Sequence, residues 1–540
     1  MTHHVIIGAG PAGVIAAETI RKQAPADTIT LIGDEPETPY SRMAIPYLLM
    51  GNIGEPGTYL RKSMTHFADL RIERVTARVQ RIDTASRSLA LDNGSTLGYD
   101  TLLIATGSKP AQPPVPGIQS PNVHTCWTLD DARAIMAKAG PGTRVLQMGA
   151  GFIGCIIMEA LASRGVHLSV VEMGDRMVPR MMGPVAGGMI RRWVEGKGVQ
   201  VHTGARVERI EVPEPGLVDA AKSFIGSLLG SEPAQPEAMR VHLSTGVVLE
   251  ADLVISATGV KPAMGFLEGS GVMCLQGVLT DEHMQTNVPG VYAAGDCAEA
   301  FDNVSGKTIV SAIQPNAADQ AYVAAMNMVG KRAVLKGVTQ INVLDTLGLI
   351  SASFGNWEGV PGGDHVELVD EANNQALSLQ FDGDVMVGCN SVGWTNHVGV
   401  MRGLVEGRVK LGEWKDRLMH DPTLLMPAYL ATAQAQGQWN GPADTRRRGN
   451  TGKLRTMKIT FKLFATLTDY LPPDARRANQ VELELPDGCT VQQAFAPFAL
   501  PDKLVHLVLV NGRYIAPEMR ASEVLHPGDA LAIWPPIAGG

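Results

Sequence analysis

The sequence predicts an α/β protein built on two doubly wound units, with smaller modules after them. The first observation behind this is "HHVIIGAGPAGVIAAETIRKQAPADTITLIGDE": an apolar strand, a glycine turn, a helix, then a second apolar strand ending in acids. The second is the return of the same grammar in "TRVLQMGAGFIGCIIMEALASRGVHLSVVE". The third is length, because 540 residues exceed one core and suit several domains of roughly 150 residues.

The composition is that of an ordinary globular chain, with 45% hydrophobic and 19% charged residues. A formal charge of -8 gives no basic footprint, so nucleic acid is not an expected partner. No apolar run approaches the roughly 18 residues of a spanning helix, and "MTHHVIIGAG" enters a strand directly without a leader pattern. A cytoplasmic location with no membrane partner is therefore expected. Cys126, Cys155, Cys274, Cys297, Cys389 and Cys489 are scattered, with no C-x2-C or C-x4-C pair. They are expected to be buried thiols in a reducing compartment, and no metal site is assigned.

In the first loop, Gly8, Gly10 and Gly13 close a strand and open a helix. Gly8 permits the tight turn, Gly10 lets backbone approach a pyrophosphate, and Gly13 lets helix pack on strand. Pro11 and Ala12 complete the cradle, and the helix N-terminus turns its unpaired N–H groups and dipole toward the phosphates. Asp34 and Glu35 end the next strand, placed to accept from ribose hydroxyls. In the second loop Gly149, Gly151 and Gly154 repeat the spacing, with Phe152 and Ile153 in the turn and Glu172 as the ribose acid. A carboxylate there repels a 2'-phosphate, so NADH is expected over NADPH.

Between the loops, the Pro-rich crossing "PAQPPVPGI" suits a domain boundary. Residues 211–240 read as an insertion in a surface hairpin, with Leu217, Ala221, Phe224, Ile225 and Leu228 at helical spacing. Residues 340 to 435 alternate strand and helix patterns. The stretch holding Arg446, Arg447, Arg448, Lys453 and Arg455 reads as a flexible basic linker, and a new domain opens near Met457.

"YDTLLIATGSKP" (Ala105, Thr106, Gly107) and "VPGVYAAGDCAEA" (Gly295, Asp296) lie in order around these loops. Over residues 1 to 335 the chain resembles the FAD-dependent pyridine nucleotide oxidoreductases, the ferredoxin-, rubredoxin- and nitrite-reductase-like flavoproteins. The resemblance implies FAD at the first loop, with Asp296 at its ribityl and phosphate end. It also implies Arg42 as a cofactor contact, Val79 at the adenine side, and Gly259 of "ISATGVKP" beside NAD at the second loop. Met43 stands where disulfide-reducing members carry a reactive cysteine, so no dithiol relay is expected. Tyr47 and Ile156 replace a lysine and a glutamate usual in ferredoxin-reductase-like members, and Glu159, one turn further on, is expected to face elsewhere. No side chain is assigned as acid, base or nucleophile. The cofactors supply the reaction.

From Met457, "MKITFKLFATLTDYL", "VELELPDGCTVQQAF", "LVLVNGRYI" and "LHPGDALAIWPPIAGG" resemble the MoaD/ThiS sulfur carriers, which include the small subunit of molybdopterin synthase. That implies a β-grasp (ubiquitin-like) fold and a Gly539–Gly540 tail, activated by an adenylating and sulfurating enzyme, or else retained as an interaction module. The expected layout is an FAD domain at 1–116 and 283–336, an NAD domain at 117–282 and an α+β interface domain at 337–435. A linker at 436–456 and the β-grasp domain at 457–540 follow.

Together these readings describe an NAD(H)-linked flavoprotein exchanging electrons with an iron-sulfur or a tungsten or molybdenum partner. A tungsten-dependent aldehyde oxidoreductase complex is the first expectation. An NADH:ferredoxin, rubredoxin or nitrite-reductase-type flavoprotein, and a sulfur-transfer module on a flavoprotein scaffold, are the alternatives.

Overall fold

A computed structural model describes residues 1–213, 238–436 and 456–534, apart from 473–474, 477–478, 487, 502–503 and 506. It divides into two compact units, Met1–Arg408 and Val409–Gly540.

The first unit opens with β1 (His3–Ile7), α1 (Pro11–Gln23) and β2 (Thr28–Gly33), followed by α2 (Ile45–Leu49), β3 (Ile72–Thr76) and β4 (Thr101–Ile104). The sheet order is Val291–Ala293, β4, β1, β2, β3, and every pairing is parallel. A parallel sheet is covered on both faces, so β1 and β4 are near-continuous apolar runs, with Val5, Ile6, Leu102, Leu103 and Ile104 buried. Arg21, buried near the end of α1, donates to the carbonyls of Pro25, Asp27, Leu70 and Arg71, gathering orphan acceptors of the surrounding loops.

The second nucleotide-type unit holds α3 (Leu129–Lys138), β5 (Arg144–Met148), α4 (Phe152–Ala162), β6 (His167–Glu172) and α5 (Pro184–Gly196). Its sheet is again parallel, in the order Gln200–Thr203, β6, β5, Leu253–Ser256, Val123–His124. Thr128 starts α3 with a capping box to Asp131. "VHTGARVERI", which reads as one strand in sequence, is broken at Gly204, whose φ of +64° turns the chain out of this sheet. Strand Val207–Glu211 then pairs antiparallel with Met239–Leu243. The segment joining them, with its five helically spaced apolar residues, lies outside the described residues, as does the basic linker.

Strands Ser108–Pro110 and Val260–Pro262 pair antiparallel and carry the chain between the two parallel-sheet units. The segment around α2 joins them a second time. Ile45, Leu48 and Leu49 are buried within the core formed by Leu129, Ile135, Met158 and Leu161, not in the first sheet's own core.

The third module departs from the alternating pattern expected of it. Its strands come first and its helices after, because antiparallel strands join through short turns and need no crossover helix. β7 (Ile341–Thr346), β8 (Leu349–Gly355), β9 (Asp364–Asp370), β10 (Gln375–Asp382) and β11 (Val385–Val392) form a sheet ordered β7, β8, β11, β10, β9. Buried Asn390 on β11 donates to the carbonyl of Met181 and accepts from the N–H of Gly183, tying this sheet to the start of α5. Helices Glu413–His420 and Leu425–Gln436 group with the second unit.

In that unit, β12 (Thr456–Leu463), β13 (Gln480–Pro486), α6 (Val491–Phe495), β14 (Leu507–Val510), β15 (Arg513–Tyr514) and β16 (Ala530–Trp534) form the expected β-grasp. The order is β13, β12, β16, β14, β15, with β12 and β16 parallel at the centre. Ile459, Phe461, Leu463, Val508 and Ile533 fill its core. Gly528, at φ +87°, and Asp529, which accepts from His526 and Asn511, form the turn into β16. Gly539 and Gly540 lie outside the described residues.

Candidate functional site: two glycine cradles

The two loops repeat one construction. Gly8 and Gly149 have φ of +114° and +97°, and each donates its N–H at 2.7 Å to the carbonyl of the neighbouring strand, Ile32 or Val171. A Cβ on Gly8 would lie 2.0 Å from the Ala105 carbonyl oxygen, and one on Gly149 would lie 2.4 Å from that of Ala257. A Cβ on Gly13 would reach the Gly8 oxygen at 1.9 Å, and one on Gly154 the Gly149 oxygen at 2.4 Å. The outer glycines are therefore required by the protein's own packing, the third of each trio against its loop carbonyl more closely than against the strand.

Gly10 and Gly151 differ, since a Cβ on either would meet nothing within 4 Å. Both are N-caps with extended backbone, and neither α1 nor α4 has a side-chain cap. The first-turn N–H groups of both helices thus face open space across a residue without a side chain, an arrangement that fits a pyrophosphate.

Around the first cradle, Ala105 binds the end of β1 through its N–H to Ile7, and Thr106 donates its hydroxyl to the Ala263 carbonyl at 2.9 Å. Gly107, at φ +64°, accepts from the Ala263 N–H. Gly295 stands against Ala12, where a Cβ would lie 3.2 Å from the alanine methyl, and donates to Gln320 at 2.7 Å. Asp296 follows beside the cradle, accepting from buried Ser108 at 3.1 Å. Burial pushes its carboxyl above the usual range, against the opposing pull of Ser108 and Arg42.

The acids at the end of β2 are more committed than the sequence implies. Glu35 accepts from Arg42 at 2.6 Å on one oxygen and from Tyr40 at 2.5 Å on the other. Arg42 also donates to the Trp127 carbonyl at 2.6 Å and lies over the Trp127 and Tyr40 rings. Asp34 pairs with Arg78 through one oxygen only, at 3.2 Å. Ala77 donates to the Gly33 carbonyl, which brings buried Val79 to the same strand end.

At the second cradle, Glu172 accepts from the Ala150 N–H at 2.7 Å and from the Gly174 N–H at 2.8 Å, so the acid also braces the loop. Phe152 and Ile153 form the first turn of α4, and Gly259, at φ +105°, borders open space. Helix α2 packs against α4, the helices that carry Tyr47 and Ile156, and Tyr47 is 53% exposed. Glu159 faces the antiparallel sheet, where burial and Asp345 raise its carboxyl. Met43 is 52% exposed on the turn before α2. All six cysteines are free and their thiols are raised by burial, those of Cys126 and Cys155 to about 12. Among the described residues no cluster could hold a metal ion, and no helix is long and apolar enough to cross a membrane.

Sequence reasoning passed over Ser108, Gln320 and Gln147. Gln147 was visible as an amide in the apolar strand "RVLQM"; the other two carry no signal without the fold.

Two glycine cradles on two parallel sheets, with an acidic Gly-Asp turn beside the first, define a flavin- and nicotinamide-dependent oxidoreductase. The chain belongs to the pyridine nucleotide-disulphide oxidoreductase family, whose model matches residues 2–326, and residues 462–540 match the ThiS family. It is 30% identical over 424 residues to the NADH-dependent phenylglyoxylate dehydrogenase subunit epsilon of Aromatoleum evansii, covering 78% of this chain and 95% of that one. Similarity also extends to the ferredoxin–NAD(+) reductase component of the biphenyl dioxygenase system of Paraburkholderia xenovorans. It is 31% identical over 54% of this chain and 66% of the relative. Among solved structures, an NAD-dependent persulfide reductase from A. fulgidus matches with a TM-score of 0.67 at 26% identity, over 77% of this chain and 78% of the other. The putidaredoxin reductase–putidaredoxin complex shares the fold, with a TM-score of 0.70 at 23% identity, over 80% of this chain and 99% of that one. The enzyme uses FAD and NAD(H).

Proposed function

We propose that this chain is the NADH-linked FAD subunit of a multi-component oxidoreductase, exchanging electrons with an iron-sulfur partner. Similarity along nearly the whole length of a named subunit of an NADH-dependent dehydrogenase carries this reading. Gly8, Gly10, Pro11, Ala12 and Gly13 hold the FAD pyrophosphate, and Asp296 its ribityl end. Of the acids ending β2, Asp34 has the oxygen left for a ribose hydroxyl. Gly149, Gly151, Phe152, Ile153, Gly154 and Glu172 hold NAD(H), with Gly259 bordering it. Bound on these two loops, the cofactors would supply the hydride and electron chemistry, which no side chain here provides. The protein's part is to hold both rings, and Met43 stands where disulfide-reducing members carry a reactive cysteine.

The C-terminal module adds a second element. As a sulfur carrier for pterin synthesis, it suggests a tungsten- or molybdenum-dependent aldehyde oxidoreductase as the complex, with Gly540 the residue adenylated and sulfurated. Purifying the native protein with its companions tests this. Co-purification of an iron-sulfur subunit with a tungsten- or molybdenum-pterin protein supports the reading. A lone chain that reduces ferredoxin or rubredoxin with NADH and has no pterin companion replaces it with the simpler reductase, the reading favoured by the dioxygenase-type relative.

A further inference from the structure

Gln147 lies on the central strand of the second parallel sheet, opposite Val170 on one side and Ile255 on the other, and is fully buried. Its side-chain amide donates to the carbonyl of Gly149 in the glycine loop at 2.8 Å and to that of Gly154 in the first turn of α4 at 2.9 Å. Its own carbonyl oxygen, Oε1, has no partner. Turning the amide over would press Oε1 against two carbonyl oxygens, so the orientation is fixed by its neighbours. A buried acceptor left unpaired is unfavourable, and packing alone does not call for one.

The first loop shows the packing solution. There the corresponding residue, two before the first glycine, is Ile6, which is also fully buried. The two occupy the same place: a Cβ on Gly13 would meet Ile6 Cγ2 at 3.3 Å, and a Cβ on Gly154 would meet Gln147 Nε2 at 3.0 Å. An aliphatic side chain thus fills the position beneath one cradle without an orphan oxygen. Beneath the other, an amide fills it and holds the loop.

The consequence is a loop whose peptide planes are fixed on several sides. The Gly149 carbonyl is held by Gln147, and the adjoining Ala150 N–H by Glu172 at 2.7 Å. The Ala150 carbonyl accepts from the Val178 N–H at 2.9 Å. What remains is the N–H of Gly151 and those of the first turn of α4, which has no side-chain cap. We infer that Gln147 is a positioning residue for NAD(H). Without touching the dinucleotide, it holds the second glycine loop in its pyrophosphate-binding form, and so sets cofactor affinity without setting the rate of flavin reduction. This rests on the second loop being the nicotinamide-nucleotide site.

The test uses the full-length, FAD-loaded chain with Gln147→Ile, the residue of the first loop, and Gln147→Met, which keeps an unbranched side chain. Anaerobic flavin reduction is followed against NADH concentration, with ADP-ribose as a competitor that carries the pyrophosphate but no nicotinamide. The expected result is a rise of about tenfold in half-saturating NADH and an equal weakening of ADP-ribose. The limiting reduction rate, FAD content and melting temperature should be retained. Unchanged affinity for both ligands in either folded variant would overturn the inference and leave Gln147 a packing residue. So would parallel loss of FAD and melting temperature in both variants. If the unmodified protein is not reduced by NADH at all, the site reading fails first, and separately.

Discussion

Gly151 offers the sharpest separation of fold from ligand. Its φ of -75° and ψ of -171° are open to any residue, and a Cβ there meets nothing within 4 Å. Gly151→Ala should therefore leave the folded chain unharmed, and the loss of glycine's unfolded-state freedom should stabilise it by about 0.4–1 kcal/mol. Gly151→Val adds bulk on the face the pyrophosphate must approach. Losing one or two charge-assisted backbone hydrogen bonds costs roughly 2–4 kcal/mol, or roughly 30- to 900-fold in affinity. Gly154→Ala is the contrast, because its Cβ would lie 2.4 Å from the Gly149 oxygen and must disturb the loop itself. The assay is anaerobic reduction of the bound flavin at increasing NADH, alongside thermal melts of the same preparations. Gly151→Val should melt like the unmodified protein, retain its flavin, and need far more NADH. A Gly151→Val protein that is stable and saturates normally would refute the placement of NAD(H) on this loop.

Asp296→Asn should raise the melting temperature of the FAD-free protein at neutral pH and weaken FAD retention on dialysis. The Asp296 carboxyl is raised in the folded state, so its contribution is fully present below the unfolded pKa and is lost as pH rises through the folded one; the stabilising effect of the substitution should vanish in acid. Glu172→Gln should narrow the preference for NADH over NADPH by about tenfold, measured as the ratio of reduction efficiencies, by removing the charge that opposes a 2'-phosphate. Single changes of Cys126, Cys155, Cys297 and Cys389 to Ser should leave NADH-dependent flavin reduction intact, and lost turnover with a normal flavin spectrum would contradict this. Deleting Gly539 and Gly540 should leave NADH oxidation unchanged but lower pterin content in the companion subunit. Intact mass of protein matured in its native host should show one oxygen exchanged for sulfur.

The glycine loops were legible because their spacing sits between a strand and a helix, and each outer glycine answers a carbonyl that this junction always brings close. The β-grasp was legible through the resemblance of the segment from Met457 onward to the sulfur carriers, with Gly528 and Asp529 at the expected turn. What the sequence hid were long-range choices. Asp34 and Glu35 read as a pair of ribose acceptors, but Arg42 and Tyr40 arrive from the next turn and occupy Glu35. "VHTGARVERI" has the composition of one strand, and only the left-handed turn at Gly204 assigns its halves to different sheets. Nothing local distinguishes Ser108 from any other serine opening a short strand until Asp296, far along the chain, is brought beside it.

The segment around α2 has a practical consequence for anyone building chimeras. By chain order it belongs with the first glycine loop, yet its apolar side chains are seated in the second domain. Three guanidinium groups fasten it there. Arg133 grips Glu55 and Glu37, Arg164 takes the Leu49 carbonyl, and Arg42 reaches the Trp127 carbonyl. A graft cut at the paired crossing strands alone would transplant a socket without its plug. An exchanged nicotinamide module should therefore travel with residues 37–59, or its recipient will expose Leu129, Ile135 and Leu161 to water and precipitate before any question of cofactor preference arises.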